Sequence, residues 1–205
     1  MSGIYIHIPF CKQKCHYCDF ASTTSTKYIH EYVDALLIEI KNQKLFFGNQ
    51  TTINTIYFGG GTPSLLSHTQ LGLIIEHLHK YFSISLSAEI TIEMNPDNIN
   101  SEYLHNIKNL GFNRISIGTQ SFSNKELQYL HRIHDAETSY KSVLIAKDAD
   151  FDNISIDIIY GLPPQYSENI QFQIEKIQTL DIAHISAYIL TIEADTILST
   201  NIKKG

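Results

Sequence analysis

Three cysteines stand at positions 11, 15 and 18, and the 205-residue chain has no others. Thiolates are soft ligands that suit zinc, copper(I) and iron–sulfur clusters. An odd number of thiols confined to one short stretch does not make a disulfide framework. A structural zinc site normally draws four protein ligands, and the nearest further candidate, His16, is tied beside Cys15 on a tight loop. Most iron–sulfur sites use four cysteines. Three thiolates instead leave one iron of a 4Fe-4S cluster without a protein ligand, which is useful where something else must bind there.

The elements that would position this loop repeat as strand, loop and helix. Gly3–Ile8 reads as a strand, with Ile4, Ile6 and Ile8 alternating against Tyr5 and His7. Lys27–Phe47 reads as a helix, with Tyr28, Tyr32, Leu36, Ile40 and Phe47 at helical spacing. Strands follow at Thr52–Phe58, Ala88–Met94, Arg114–Gly118, Asn153–Tyr160 and Ala183–Leu190. Helices are expected at Ser67–Phe82, Asn100–Leu110 (with Gly111 as its cap), Asn124–Leu130, Glu137–Ala149 and Glu168–Leu180. Six strands joined by helical crossovers imply a parallel sheet, and right-handed crossovers would curl it into part of a barrel.

In βα barrels chemistry gathers beyond the carboxyl ends of the strands. The cysteines follow strand one and the run Gly59-Gly60-Gly61-Thr62-Pro63 follows strand two. Glu93 ends strand three among apolar neighbours, where an inward carboxylate is costly unless partnered. Gln120 follows strand four, and Gly161-Leu162-Pro163-Pro164 follows strand five. A formal charge of -6 gives no general attraction to nucleic acid or anionic lipid. No apolar run approaches the ~20 residues of a transmembrane span. The amino terminus lacks the regions of a signal peptide, so a cytoplasmic location is expected.

The spacing C-x3-C-x2-C after a first strand resembles the radical S-adenosylmethionine signature. The stretches Tyr5-Ile-His-Ile-Pro-Phe-Cys11, Gly59-Gly-Gly-Thr-Pro63, Thr-Ile-Glu93-Met-Asn-Pro, Gly118-Thr-Gln-Ser-Phe122, Arg132, Asp157-Ile-Ile-Tyr-Gly-Leu-Pro163 and Thr191 in Thr-Ile-Glu narrow the likeness. They resemble oxygen-independent coproporphyrinogen III oxidase and its close relatives. The resemblance implies an α/β fold, a partial (β/α)6 barrel over residues 1–205, with the family's C-terminal domain missing. It implies a 4Fe-4S cluster on Cys11, Cys15 and Cys18, whose open iron is chelated by S-adenosylmethionine, and an electron donor. Tyr5 and Tyr17 would shield the cluster or touch the cofactor. Gly60, Gly61 and Thr62 would meet its amino-acid part, and Glu93 a cationic group. Gln120 and Asp157 would meet the ribose, and Arg132 the carboxylate. His7 is given no catalytic role, and His30, His68, His77, His79, His131 and His134 read as surface.

One departure separates the functions. The oxidases read C-x3-C-x2-C-x-C, whereas here Cys18-Asp19 is followed by Phe20. That form is similar to the heme chaperones of the oxidase-like family, which bind heme and hand it to acceptor proteins. The resemblance therefore implies heme as cargo and a heme-acceptor protein as partner. The alternatives are a true oxidase, which would decarboxylate two propionates of coproporphyrinogen III, and an incomplete, inactive relative. Whether the chain turns over a substrate stays open at this point.

Overall fold

The structure, a computed structural model, describes residues 2–47 and 51–204. The Phe47 side chain and the terminal Gly205 lie outside the described residues. Six strands form one sheet in the order β1-β2-β3-β4-β5-β6, every neighbouring pair parallel. They are β1 (Ser2–Ile8), β2 (Thr52–Gly60), β3 (Ser83–Met94), β4 (Arg114–Gln120), β5 (Ile154–Tyr160) and β6 (His184–Ile189). The helices are α1 (Ile29–Phe47), α2 (His68–Tyr81), α3 (Ser101–Asn109), α4 (Asn124–Tyr129), α5 (Ala136–Asp148), α6 (Ile170–Gln178) and α7 (Ile197–Lys204). The sheet curls into a half-barrel with β1 and β6 as its two edges.

The two faces of the sheet differ in chemistry, and this difference makes the site. Ile6, Ile8, Ile56, Phe58, Ile90, Ile92, Ile115, Ile117, Ile154, Ile156 and Ile158 are buried. They join one core with Val33 and Ile40 of α1 and Leu71, Ile74 and Leu78 of α2. Because side chains alternate along a strand, Tyr5, Tyr57, Glu93, Ser116 and Asp157 fall on the opposite, concave face. Helix starts are set locally. Ser67 and Gln70 form a reciprocal capping box on α2, and Asn100 and Asp135 cap α3 and α5. Gly111, at φ +96°, closes α3 and donates its N–H to the Lys108 carbonyl (2.9 Å), as its place after the helical pattern requires.

The differences from the sequence expectation have physical causes. Strand β3 starts five residues before Ala88, because Ser83 and Ile84 pair with Thr52 and Ile53 ahead of an irregularity in the β2–β3 ladder. Helix α1 begins at Ile29, and Tyr28 is exposed; Val33 and Ile40, flanked by Leu36 and Leu37, form its buried side. Helix α7 was not expected, since its eight residues contribute only Leu198 and Ser199 to the interior. Its position is held partly by backbone, the Leu198 N–H donating to the His16 carbonyl at 2.8 Å.

His134 corrects the surface reading of that residue: it is only 6% exposed. Its Nε2–H donates to the Thr119 carbonyl (3.1 Å), and its Nδ1 is buried without a partner. Desolvation, then the Arg132 guanidinium, push its pKa down to about 4 from the ordinary 6.5. Between these values the unfolded chain binds the proton and the folded chain does not, so stability falls as pH drops through that window. The full shift corresponds to about 3 kcal/mol. Chemical denaturation from about pH 7 down to about pH 4 should show His134→Gln losing less stability on acidification than the wild type. Equal losses would remove His134 as the cause.

Candidate functional site

A cavity of about 420 Å³ opens at the carboxyl ends of the strands. The β1–α1 segment brings the three cysteines there. Its Phe10 pairs with Thr23 in a short bridge, and the Cys11 and Thr23 backbones bond at 2.9 Å, so the cysteine loop is closed at its base. Cys11, Cys15 and Cys18 are free thiols and partly buried. Burial is the main cause that pushes the Cys18 thiol up, so a cation bound beside it would favour the thiolate.

The glycine run at the end of β2 is laid directly on the segment that leads into this loop. Gly61 N–H donates to the Ile8 carbonyl at 2.8 Å and Thr62 N–H to the Phe10 carbonyl at 2.7 Å. A Cβ on Gly61 would lie 2.6 Å from the Phe10 oxygen and 3.0 Å from Cys11 Sγ. Gly60 adopts φ +109°, and a Cβ there would meet the His7 ring at 2.5 Å. His7 thus backs the glycine run, its Nε2 meeting the Ala21 carbonyl at 2.9 Å.

Glu93 reaches the same cavity from β3. Tyr57 donates its hydroxyl to Oε1 (2.8 Å) and Gly60 its N–H to Oε2 (3.1 Å). Desolvation still raises the Glu93 pKa, so the site is poised to gain from a cation placed beside it. Asp157, on β5, is likewise raised by burial, against the hydrogen bonds of Ser186 and Ser116 and the charge of Arg114. Gln120 ends β4 in a left-handed conformation (φ +64°), a strained setting for a residue other than glycine. The following turn is pinned from below: buried Glu126 accepts from Ser121 Oγ, from Gln173 Nε2 (2.7 Å) and from Glu168 N–H (2.7 Å). Arg132 spends its donors inside the protein, on Cys15 Sγ (3.3 Å), Asn95 Oδ1 (2.6 Å) and the Gly118 carbonyl (2.9 Å).

The structure therefore brings Cys11, Cys15, Cys18, Tyr17, Gly60, Gly61, Thr62, Glu93, Gln120, Arg132 and Asp157 onto one cavity wall. Tyr5 is not among them. It is 57% exposed and lies against Tyr57, with ring centroids 6.0 Å apart. Lining residues not anticipated include Lys14, Asn95, Phe20, Tyr188 and Ile189. Asn95 lay inside a stretch already singled out, but an asparagine two residues beyond a strand-end carboxylate carries no chemical signal of its own.

The residues present have the donor chemistry of an iron–sulfur cluster. Three soft donors with a glycine backbone packed on them suit that group.

The chain matches the family described as "Radical SAM superfamily" over residues 5–172. It is 36% identical over 207 residues to the heme chaperone HemW of Bacillus subtilis (strain 168), covering 100% of this chain and 54% of that protein. It is 35% identical to the heme chaperone HemW of Escherichia coli (strain K12), covering 97% of this chain and 53% of that one. The chain thus spans about half the length of the curated relatives it matches. Among solved structures, the coproporphyrinogen III oxidase HemN of Escherichia coli, described as a radical SAM enzyme, superposes with a TM-score of 0.85 at 29% identity. That match covers 98% of this chain and 46% of that one. With a family match across most of its length and the half-barrel that goes with it, this chain belongs to the radical S-adenosylmethionine superfamily.

Proposed function

We propose that this chain holds a 4Fe-4S cluster on Cys11, Cys15 and Cys18, binds S-adenosylmethionine exchangeably beside it, and serves in heme delivery to an acceptor protein. The observation that carries the reading is the meeting of the three-cysteine loop, the glycine run and two half-buried carboxylates on one cavity. When bound, the cluster supplies an open iron and an electron. The residues of this chain supply the rest. Glu93, with one donor on each oxygen, holds its remaining lone pairs for the ammonium or sulfonium of the cofactor. Gln120 and Asp157 offer acceptors to ribose hydroxyls, and the backbone of Gly60, Gly61 and Thr62 gives close approach to the amino-acid part. Arg132 stays positively charged beside the cysteine loop and favours an anionic group there.

Heme delivery, rather than oxidation of coproporphyrinogen, is supported by Phe20. It stands where the oxidases carry a further cysteine, lines the cavity and is 63% exposed. Phenylalanine supplies neither thiol chemistry nor ligation. The names of the curated relatives point the same way. The likeness to the solved oxidase keeps oxidative decarboxylation as the second reading. No described helix is long and apolar enough to cross a membrane, and we place the protein in the cytoplasm with an electron donor as a further partner.

The deciding assay is anaerobic. Reconstituted protein is given S-adenosylmethionine, a reductant and either heme or coproporphyrinogen III. Heme retained without turnover is the expected result. Release of carbon dioxide with appearance of protoporphyrinogen would replace the chaperone reading by the oxidase.

A further inference from the structure

Asn95 sits between the two loops that make the site. Its Nδ2–H donates to Thr62 Oγ1 at 3.0 Å, and its Oδ1 accepts from Arg132 Nη2 at 2.6 Å. Arg132 Nη1 in turn reaches Cys15 Sγ at 3.3 Å. A guanidinium carries donors and no acceptor, so the carbonyl oxygen of Asn95 must face Arg132 and its amide nitrogen must face Thr62. The side-chain orientation is therefore set by chemistry.

The backbone that carries Asn95 is stiff. Pro96 follows it, which confines Asn95 to the extended region it adopts (φ -90°, ψ 146°). The Asn98 N–H donates to the Asn95 carbonyl at 2.9 Å, closing the turn Pro96–Asn98. The same turn is tied to the cysteine loop a second time, through the Lys12–Asp97 ion pair at 2.8 Å. Arg132 is itself clamped by the Gly118 carbonyl at 2.9 Å.

We infer that Asn95 is a positioning residue that couples the cofactor loop to the cluster, through the relay Thr62–Asn95–Arg132–Cys15. The inference rests on the reading of the site given above. At one end the relay fixes the Thr62 hydroxyl against the glycine run. At the other it aims an N–H donor at a cluster thiolate. Hydrogen bonds to cluster sulfurs are among the determinants of reduction potential, because a donor stabilises the more electron-rich reduced form. Outer groups that orient a metal site typically contribute about 10–100-fold to its affinity or activity.

The test uses the reconstituted 205-residue chain with Asn95→Leu, Asn95→Asp and, as a control on the exposed side of α5, Lys141→Ala. Two quantities are read at full cluster loading: the S-adenosylmethionine dissociation constant, and the cluster midpoint potential by resonance-monitored titration. Asn95→Leu should raise the dissociation constant on the order of tenfold and move the potential to a more negative value, since Arg132 is no longer held on Cys15. A merely structural loss would lower the melting temperature and leave the potential of the loaded cluster in place. Asn95→Asp keeps one oxygen for Arg132 and offers the other to the Thr62 hydroxyl, so its dissociation constant should stay within about threefold of wild type. This variant also serves if Asn95→Leu takes up no iron, and a loss of about tenfold in it overturns the relay. A loaded wild type beside an unchanged Asn95→Leu overturns the relay alone. A wild type that takes up no cluster overturns the site reading and the relay with it.

Discussion

Replacing Cys11, Cys15 or Cys18 singly by serine should strip the chain of its iron and sulfide, leaving at most about a tenth of the wild-type content after anaerobic reconstitution. Loss of an outer-shell partner alone typically costs 10–100-fold in metal affinity, and the loss of a ligand costs more. Serine replaces a soft thiolate by a hard oxygen that stays protonated at neutral pH. The loop holds three ligands and no spare. His16 is engaged elsewhere: its ring is stacked on His131, with centroids 3.9 Å apart. The cysteines make no disulfide, so the substitutions leave the fold intact and the melting temperature of the cluster-free chain close to wild type. Iron and sulfide analysis, with electron paramagnetic resonance of the reduced protein, measures the effect. A serine variant that retains a full cluster would remove that cysteine from the ligand set.

Much of the architecture was legible because each strand follows the same physical rule. Isoleucines alternate with polar residues in β1 and in the later half of β3, and the core-facing residues follow that alternation, although Thr91 on the other face is also buried and Leu86, earlier in β3, is exposed. The strand ends were legible more loosely: Gly60, Glu93 and Gln120 interrupt apolar runs near them, but β2 and β4 each run two residues further than expected, and Asp157 lies in the middle of β5. Their meeting on one cavity follows from topology, since parallel strands joined by helical crossovers present all their carboxyl ends on one edge.

What the sequence hid is the pairing among those residues. A ligand carboxylate as partner of Arg132 was expected from residue type and family likeness; what the sequence did not show is that three of its N–H donations go to Cys15, Asn95 and Gly118. The preference of guanidinium for anionic partners is visible in sequence, but the competition among nearby acceptors depends on distances that only the fold supplies. His134 shows the same limit. It lies in a polar stretch that reads as surface, yet its imidazole is enclosed with one nitrogen unpartnered. Tyr5 alternates correctly onto the concave face, but it stops against Tyr57 rather than reaching the cavity. Helix α7 is only eight residues long and buries only Leu198 and Ser199; part of what holds it is a backbone bond to His16, which side-chain patterns do not encode.

Gly61→Ala should weaken S-adenosylmethionine binding by about 100-fold, although it adds a single methyl group. The added carbon would lie 2.6 Å from the Phe10 carbonyl oxygen and 2.9 Å from that of Ile8. Both are backbone atoms and cannot rotate away. Relief requires the glycine run to lift from the segment ahead of the cysteines, which breaks the Gly61–Ile8 and Thr62–Phe10 hydrogen bonds. Leaving such groups unpaired costs about 1–3 kcal/mol each, and every 1.4 kcal/mol is about tenfold in affinity. The same displacement moves Thr62 away from Asn95 and crowds Cys11 Sγ, so cluster loading should fall as well. Gly111→Ala separates this local effect from general destabilisation. Unlike Gly61, Gly111 has a positive φ, but a Cβ there would meet nothing closer than Ile90 Cδ1 at 3.8 Å. That variant should lose about 1 kcal/mol of stability from the left-handed backbone alone while its loaded form binds S-adenosylmethionine as the wild type does. Equilibrium titration of S-adenosylmethionine into both reconstituted variants, with iron content measured alongside, decides the matter. If Gly61→Ala binds within about twofold of wild type, the close packing of the glycine run on the cysteine loop is not what shapes the cofactor site.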